Sequence, residues 1–420
     1  MSTEAASARA CLITGAGIIS PLGRGLAATS AALRQASSGI AAIRAFDAEG
    51  FPVACAGEVV DAEVPRDHRR QETMAQIAMT EALATAGLSS TDARPGLDPR
   101  RAVSFAIGKP TLDLEAIARG RAQWVASCNP LQALRGLPEL ERQRNAFDPS
   151  AVLRRLARTS GAGGPLYSCY TACASGNDAI GLAKRLIERN EADVVIAGAT
   201  DAQVHPLSLL EFELLSALSH EPAASACRPF DRERTGFVVG EGAAVIVLEA
   251  AEHARARGAT PLALLAGYGS SLDCYGLTKC HPQGRGAALA IQGALNDAGI
   301  GPQAIDYLNA HGTGTVLNDQ AEAAAIRRVW GDDVARLPVS STKAMTGHLL
   351  TAASAVEAVI TLLALRDGCI PGNLNYQHPD PECDLNVIAA PMERPLDIAM
   401  SNGFGFGGQN SSLILRRAVH

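Results

Sequence analysis

Apolar positions fall into two kinds of run along this chain. Short continuous runs bounded by glycine or charge predict buried strands at 10–17 (ACLITGAG), 102–108 (AVSFAIG), 193–199 (DVVIAGA) and 242–250 (GAAVIVLEA). Longer stretches carry apolar residues every three or four positions. In 175–192, Ile180, Leu182, Ala183, Leu186 and Ile187 have this helical spacing, and AEHARARGA predicts another helix behind the 242–250 strand. Strands that are apolar on both faces need helices on both faces, so the pattern predicts an α/β protein with covered sheets.

The second half repeats this grammar. Strands are predicted at 262–271 and 304–315, and helices at 285–299 and 320–331. PVSSTKAMTG predicts a strand entering a loop, AASAVEAVITLLALRDG a helix, and 400–417 a glycine-rich turn into a last strand. The halves share an order of elements without aligning as a sequence repeat. A chain of 420 residues exceeds one ordinary core, so two core-bearing halves are expected, at 1–255 and 256–420. Residues 43–70, 108–165 and 205–235 are predicted to be irregular excursions, which in a compact enzyme are functional or interfacial.

Formal net charge is -6, with Lys and Arg spread along the chain. This pattern gives no support for nucleic acid or an anionic membrane surface, although a small acidic carrier could still use a local basic patch. No secretory signal is evident at the N-terminus, and AAVIVLEAA and AVEAVITLLAL are too short or interrupted to span a bilayer, so a cytoplasmic protein is expected. The 10 cysteines include no C-x-x-C pair and are expected to stay reduced. Cys169 and Cys173 lie four apart without a further ligand nearby, so no metal site is predicted. Gly15 and Gly17 are followed by Ser20 and Pro21 where a dinucleotide fingerprint needs a third glycine. A tight strand-end turn is the preferred reading, and no nucleotide cofactor is expected.

YTACASG places Cys173 directly before a helix. There the helix dipole and free N–H groups are expected to lower the thiol pKa, and Ala172, Ala174 and Gly176 leave room for a ligand. The competing reading is a small, buried, inert side chain. Two of the nine histidines shift the balance. His311 in NAHGTGT and His348 in STKAMTGH both follow strands, in loops rich in glycine and threonine, with Lys343 five residues before His348. Each alone could be a hydrogen-bonded core histidine; with Cys173 they form a possible thiol–imidazole site.

The chain resembles the β-ketoacyl-acyl-carrier-protein synthases, condensing enzymes of the thiolase superfamily. The resemblance rests on ITGAGIISPLG, YTACASG, CRPFDRERTGFVVGEGA, NAHGTGTVLND, STKAMTGH and NGFGFGGQNSSL, in that order. It implies a five-layered αβαβα sandwich of two similar halves, without a metal or cofactor. It implies that Cys173 takes the acyl group, that His311 and His348 stabilise the enolate formed when a malonyl thioester loses CO2, and that Lys343 orders the histidines. The oxyanion donors would be the amides of Cys173 and Phe406. Thr313 and Thr315 would bind the phosphopantetheine arm, or simply satisfy their loop. Phe406 would gate the subsites as well as pack beside a turn. Glu357 would pair with Lys343, with a solvated helix-face carboxylate as the equal alternative. Arg228, Asp231 and Arg234 are expected to knit their loop.

The resemblance further implies an acyl carrier protein as partner and a dimer, formed partly by 104–112 and the 193–199 strand. Four positions depart from the common pattern: Tyr170, Gly276, Gln409, and AIGKPT, which puts Lys109 and Pro110 near the expected acyl pocket and dimer contact. A lysine there should meet a carboxylate or polar group, or stay at the wet rim. These departures leave the reaction intact and put housekeeping fatty-acid synthesis in doubt. A homodimer is expected. The runner-up is a ketosynthase of a type II polyketide or polyene pathway, paired with a chain-length-factor-like homologue. A silent partner subunit would lack the nucleophile, and a CoA-dependent thiolase would pair it with one histidine and a second cysteine.

Overall fold

The computed structural model describes residues 9–88, 96–110 and 148–418. In the first half, five strands lie side by side as Leu166–Cys169, Arg101–Ile107, Val194–Ala202, Glu241–Ala250 and Cys11–Ser20. In the second, five strands are ordered Pro338–Ser340, Tyr307–Asn309, Ile398–Gly405, Gln409–Arg417 and Ala263–Leu272, and the two-residue strand Asn386–Val387 is added outside Pro338–Ser340. Counted along the chain without Asn386–Val387, both sets of five read third, second, fourth, fifth, first. In both, the fifth strand runs antiparallel to its two neighbours and the other pairings are parallel. The two sheets join where Leu12 and Ile13 pair with Leu264 and Ala263.

Three apolar clusters fill the spaces between layers. Helix Arg70–Thr85 lays Met74, Ala78, Met79 and Ala82 on Val103, Phe105 and Val245 of the first sheet. Helices Arg285–Ala298 and Val316–Trp330 lay Ile291, Leu295 and Ile326 on Leu308 and Ile414 of the second. Between the sheets run helices Ser175–Glu188 and Ala353–Asp367, whose Ile180, Leu186, Val356 and Ile360 share one cluster with Ile13, Ile246 and Leu413. The result is the five-layered, thiolase-like sandwich. Every residue from Ala353 to Leu365 is buried, because this helix has a sheet on either side and no solvent face.

Several sequence expectations change. Gly15 and Gly17 lie inside a strand, not at a turn. A Cβ would stand 2.1 Å from the Ala82 carbonyl oxygen at Gly15 and 2.0 Å from that of Ala78 at Gly17, so glycine lets the covering helix approach. The 400–417 stretch is a hairpin of two strands rather than a turn and one strand. The 304–315 strand shortens to Tyr307–Asn309, after which the chain leaves the sheet as the His311 loop. Two of the excursions contain helices. Pro149–Ser160 starts on Asp148, whose carboxylate accepts the Ser150 N–H at 2.9 Å, and Pro206–Leu214 also starts on a proline. The part of the 108–165 excursion from 111 to 147, with Cys128, lies outside the described residues. No helix among the described residues is long and apolar enough to cross a membrane.

Candidate active site

A cavity of about 350 Å³ is lined by Cys173, His311, His348, Thr313, Thr315 and Phe406, with Leu317 and Phe404 among its apolar walls. Cys173 lies between strand Leu166–Cys169 and helix Ser175–Glu188. Ala172 takes a left-handed φ of 50°, a strained conformation for a residue with a Cβ. Ser175 braces this elbow by donating from Oγ to the Ala172 carbonyl at 2.6 Å and accepting the Thr171 N–H at 2.8 Å. Burial pushes the Cys173 thiol up to about 12; Lys343 pulls it down, and Asp201 and Glu357 push it further up. The lowering expected from the helix start is therefore overturned: desolvation of a thiolate outweighs it.

His311 enters from the loop after Tyr307–Asn309. Helix Val316–Trp330 folds back onto that loop with two buried carboxylates. Glu322 accepts the His311 N–H at 2.9 Å and the Gly312 N–H at 2.7 Å. Asp319 accepts the Thr313 N–H at 3.0 Å and the Phe230 N–H at 2.8 Å. These residues were missed in the sequence, although the run VLNDQAE directly after HGTGT carried the signal: carboxylates three apart in a helix's first turns can reach back to the preceding loop.

The two rings stand 5.3 Å apart at 80°. His348 Nδ1 accepts the Leu350 N–H at 3.3 Å, and His311 Nδ1 faces Lys343 Nζ at 3.3 Å. An Nδ1 that accepts leaves the proton of a neutral imidazole on Nε2. Burial first, then the Lys343 charge, holds both histidines well below the usual imidazole value; His348 adds to the effect on His311. Both rings are therefore neutral, with Nε2–H as their remaining donor.

Lys343 is wholly buried. It donates to the His311 carbonyl and pairs with Glu357, which sits in the central helix rather than on a solvated face. Thr313 and Thr315 share a 2.9 Å hydroxyl hydrogen bond on the cavity wall. Phe406 tips the final hairpin, held by the Gly407 N–H donating to the Leu277 carbonyl at 2.7 Å. A Cβ on Gly405 would stand 2.9 Å from the Cys173 amide nitrogen, so glycine lets this hairpin meet the elbow. Among the described residues, no turn, loop or cap bond takes the Cys173 or Phe406 N–H.

Lys109 is not brought to the cavity. It pairs with Glu211 and lies 5.9 Å from the Phe212 ring centroid, while its carbonyl accepts from Gln71 and Gln203. Arg234 pairs with Asp380 at 2.6 Å and lies 3.6 Å from Asp319, and Asp231 accepts the Gln377 and His378 N–H groups, both at 2.7 Å. Arg228 donates to the Ser225 carbonyl. Arg234 and Asp231 tie this first-half loop to the second half, and Arg228 braces it from within.

Residues 8–254 match the family description "Beta-ketoacyl synthase, N-terminal domain" and 262–377 match "Beta-ketoacyl synthase, C-terminal domain". The chain belongs to the β-ketoacyl synthase family. It is 38% identical to a "3-oxoacyl-[acyl-carrier-protein] synthase 2" of Coxiella burnetii, over 97% of this chain and 99% of that relative. Two solved structures are similar in fold and sequence. A chain of a complex described as "type II PKS acyl-carrier protein in complex with its ketosynthase bound to the hexaketide" superposes with a TM-score of 0.87 at 32% identity, covering 98% of this chain and 100% of that one. "The ishigamide ketosynthase/chain length factor" superposes at 0.86 with 35% identity and the same coverage.

Proposed function

We propose that this β-ketoacyl synthase family member carries out a decarboxylative Claisen condensation. Cys173 takes an acyl group from one carrier protein, and a malonyl-carrier protein extends it by two carbons. The observation that carries the reading is the pair of buried imidazoles that line one cavity with the Cys173 thiol. Both Nδ1 atoms are engaged, so both rings offer Nε2–H to one cavity.

In the first step the Cys173 sulfur bonds to the acyl carbonyl carbon, and the thiol proton leaves with the departing carrier sulfur. The Cys173 and Phe406 amides stabilise the tetrahedral oxyanion. In the second, the malonyl carboxylate leaves as CO2, and its bonding electrons form an enolate whose oxygen accepts from His311 and His348. Neutral donors suit this step because they add no positive charge that would pair with the malonyl carboxylate and hold it in place. The enolate carbon then attacks the acyl carbonyl. Collapse breaks the carbon–sulfur bond, and the released thiolate takes up a proton. Lys343 acts through His311 as a positioning group, with Glu357 as its counter-ion. Thr313 and Thr315 offer hydroxyls to the incoming arm, and Phe406 stands between the subsites.

On this reading residues 1–255 supply the nucleophile and 256–420 the histidines, which the twice-used strand order supports. The reaction belongs in the cytoplasm, and the chain works as a homodimer. A second reading, a type II polyketide or polyene ketosynthase paired with a chain-length-factor homologue, is supported by the likeness to the ishigamide structure. Intact-mass measurement after exposure to acyl-carrier substrates, with malonyl decarboxylation measured separately, tests the assignment. His311→Ala and His348→Ala should each slow decarboxylation about a hundredfold while acylation of Cys173 persists. Variants that decarboxylate normally but cannot be acylated would overturn the roles.

A further inference from the structure

We infer that Asp201 is a positioning residue: its buried carboxylate holds the Leu350–Ala352 turn in the conformation that aims the Leu350 N–H at His348 Nδ1. Asp201 lies in strand Val194–Ala202 of the first half, and His348 in the second. Asp201 Oδ2 accepts the Thr351 N–H at 3.0 Å. One residue earlier, Leu350 has a φ of 51°, left-handed backbone that a leucine does not adopt unaided. In that conformation its N–H reaches His348 Nδ1 at 3.3 Å. The chain of contact therefore runs from Asp201 to the Thr351 amide, through the strained Leu350, to the imidazole.

The carboxylate is built in on every side. Oδ1 accepts the Ala202 N–H at 2.9 Å and Gln203 Nε2 at 2.8 Å. Gln203 is itself fixed by Ser208, which donates to its Oε1 at 2.7 Å. Gly108 closes the cradle, since a Cβ there would stand 2.1 Å from Asp201 Oδ1. A carboxylate with only N–H and O–H donors around it cannot be replaced by an amide without loss. In the Asp201→Asn variant the new NH2 group would face either the Thr351 N–H or the donors at Ala202 and Gln203. Burial raises the Asp201 carboxyl to about 6, countered first by Gln203 and then by Thr351 and Ala202. Above that value the acceptor-only form is the one present.

Leu350 N–H on Nδ1 keeps the His348 proton on Nε2, the ring's remaining donor. Without it the proton can move to Nδ1, and the ring then offers an acceptor where the enolate oxygen needs a donor. The consequence for catalysis rests on the proposed function; the tautomer does not, and the two are read separately.

The test uses the full chain with 15N-labelled histidine, with His348 assigned by its absence in His348→Gln. Nitrogen NMR in wild type should report protonated Nε2 and unprotonated Nδ1 for His348. Protonated Nδ1 in wild type would overturn the inference before any variant is made, so the test survives a variant that does not fold. In Asp201→Asn, His348 should become a mixture of tautomers, and malonyl decarboxylation should fall about tenfold more than Cys173 acylation. Leu350→Gly added to Asp201→Asn should restore the Nε2–H tautomer, because glycine adopts left-handed backbone without a tether. A folded Asp201→Asn protein with an unchanged His348 tautomer, or a double variant that stays mixed, would overturn it. A wild type that has the tautomer but does not decarboxylate malonyl-carrier would instead overturn the proposed function alone.

Discussion

Lys343 Nζ stands 3.3 Å from His311 Nδ1 and is paired with Glu357, all three buried between the two sheets. A fixed positive charge beside a ring opposes a second positive charge on that ring. Burial opposes it too, and more strongly.

The pH dependence of decarboxylation follows. The neutral imidazole is the working form, and both histidines are held well below the ordinary value of 6.5. The wild-type rate should therefore stay level as pH falls through that value, where an ordinary histidine would already be half protonated. In Lys343→Met/Glu357→Gln the depressing charge is gone and no buried carboxylate is left unpaired. Its acid limb should move up toward 6.5. Decarboxylation rates of both proteins across this range check the direction, and a limb that moves down would contradict it.

Cys173 carries the opposite surprise. With its thiol pushed up to about 12 by burial, the thiolate fraction at neutral pH is small. Alkylation of Cys173 by iodoacetamide, followed by intact mass, should rise about tenfold per pH unit and not level off near the ordinary thiol value. A plateau below that value would mean that the helix start governs the thiol after all. Cys173→Ala should abolish the acyl adduct and leave the melting temperature nearly unchanged, since it deletes one atom at a cavity wall.

Gly405 offers a test of the oxyanion site that touches no reacting side chain. A methyl at Gly405 would meet the Cys173 nitrogen at 2.9 Å and the Ala172 Cβ at 3.0 Å. The hairpin must then back away, carrying the Phe406 amide with it. Gly405→Ala should cost about 1–3 kcal/mol of stability and slow acylation of Cys173 about a hundredfold. Decarboxylation, whose oxyanion sits on the histidines, should suffer less. Equal losses in both half-reactions would place the amides and the histidines at one oxygen.

What the chain disclosed in advance was local. Continuous apolar runs marked most strands of the two sheets, and a cysteine before a helix with two histidines after strands marked the three side chains that the fold brings to one cavity. What it withheld depends on distant partners. Nothing near Gly15 and Gly17 announces that a helix some sixty residues later packs on them. The thiol's raised pKa comes from how deeply the two halves bury it, which the dipeptides around Cys173 do not encode. Glu357 could be placed on a helix but not inside it until both sheets were present. The glycines between Ser401 and Gln409 suggested a turn and hid a strand, because glycine is depleted in strands unless backbone must come close.

The last prediction concerns the dimer contact. Strand Val194–Ala202 is paired on both sides, with Arg101–Ile107 and Glu241–Ala250, so it has no edge to offer. The edge belongs to Leu166–Cys169, which ends the strand order and pairs only with Arg101–Ile107 among the described strands. Its Leu166 and Tyr167 are each 39% exposed. An uncovered edge with apolar side chains is a template for another strand. A second copy related by a twofold axis would extend the sheet and cover both residues. Lys109 needs no carboxylate from that copy, because Glu211 of its own chain already meets it. Sedimentation over a concentration series should therefore find a dimer for the wild type, and a monomer for Leu166→Lys/Tyr167→Glu, whose charges would be buried in the contact. A wild-type protein that stays monomeric, and gains condensing activity only with a homologue lacking the cysteine, would replace the homodimer with the heterodimer of the polyketide reading. A double variant that remains dimeric would move the contact away from this edge.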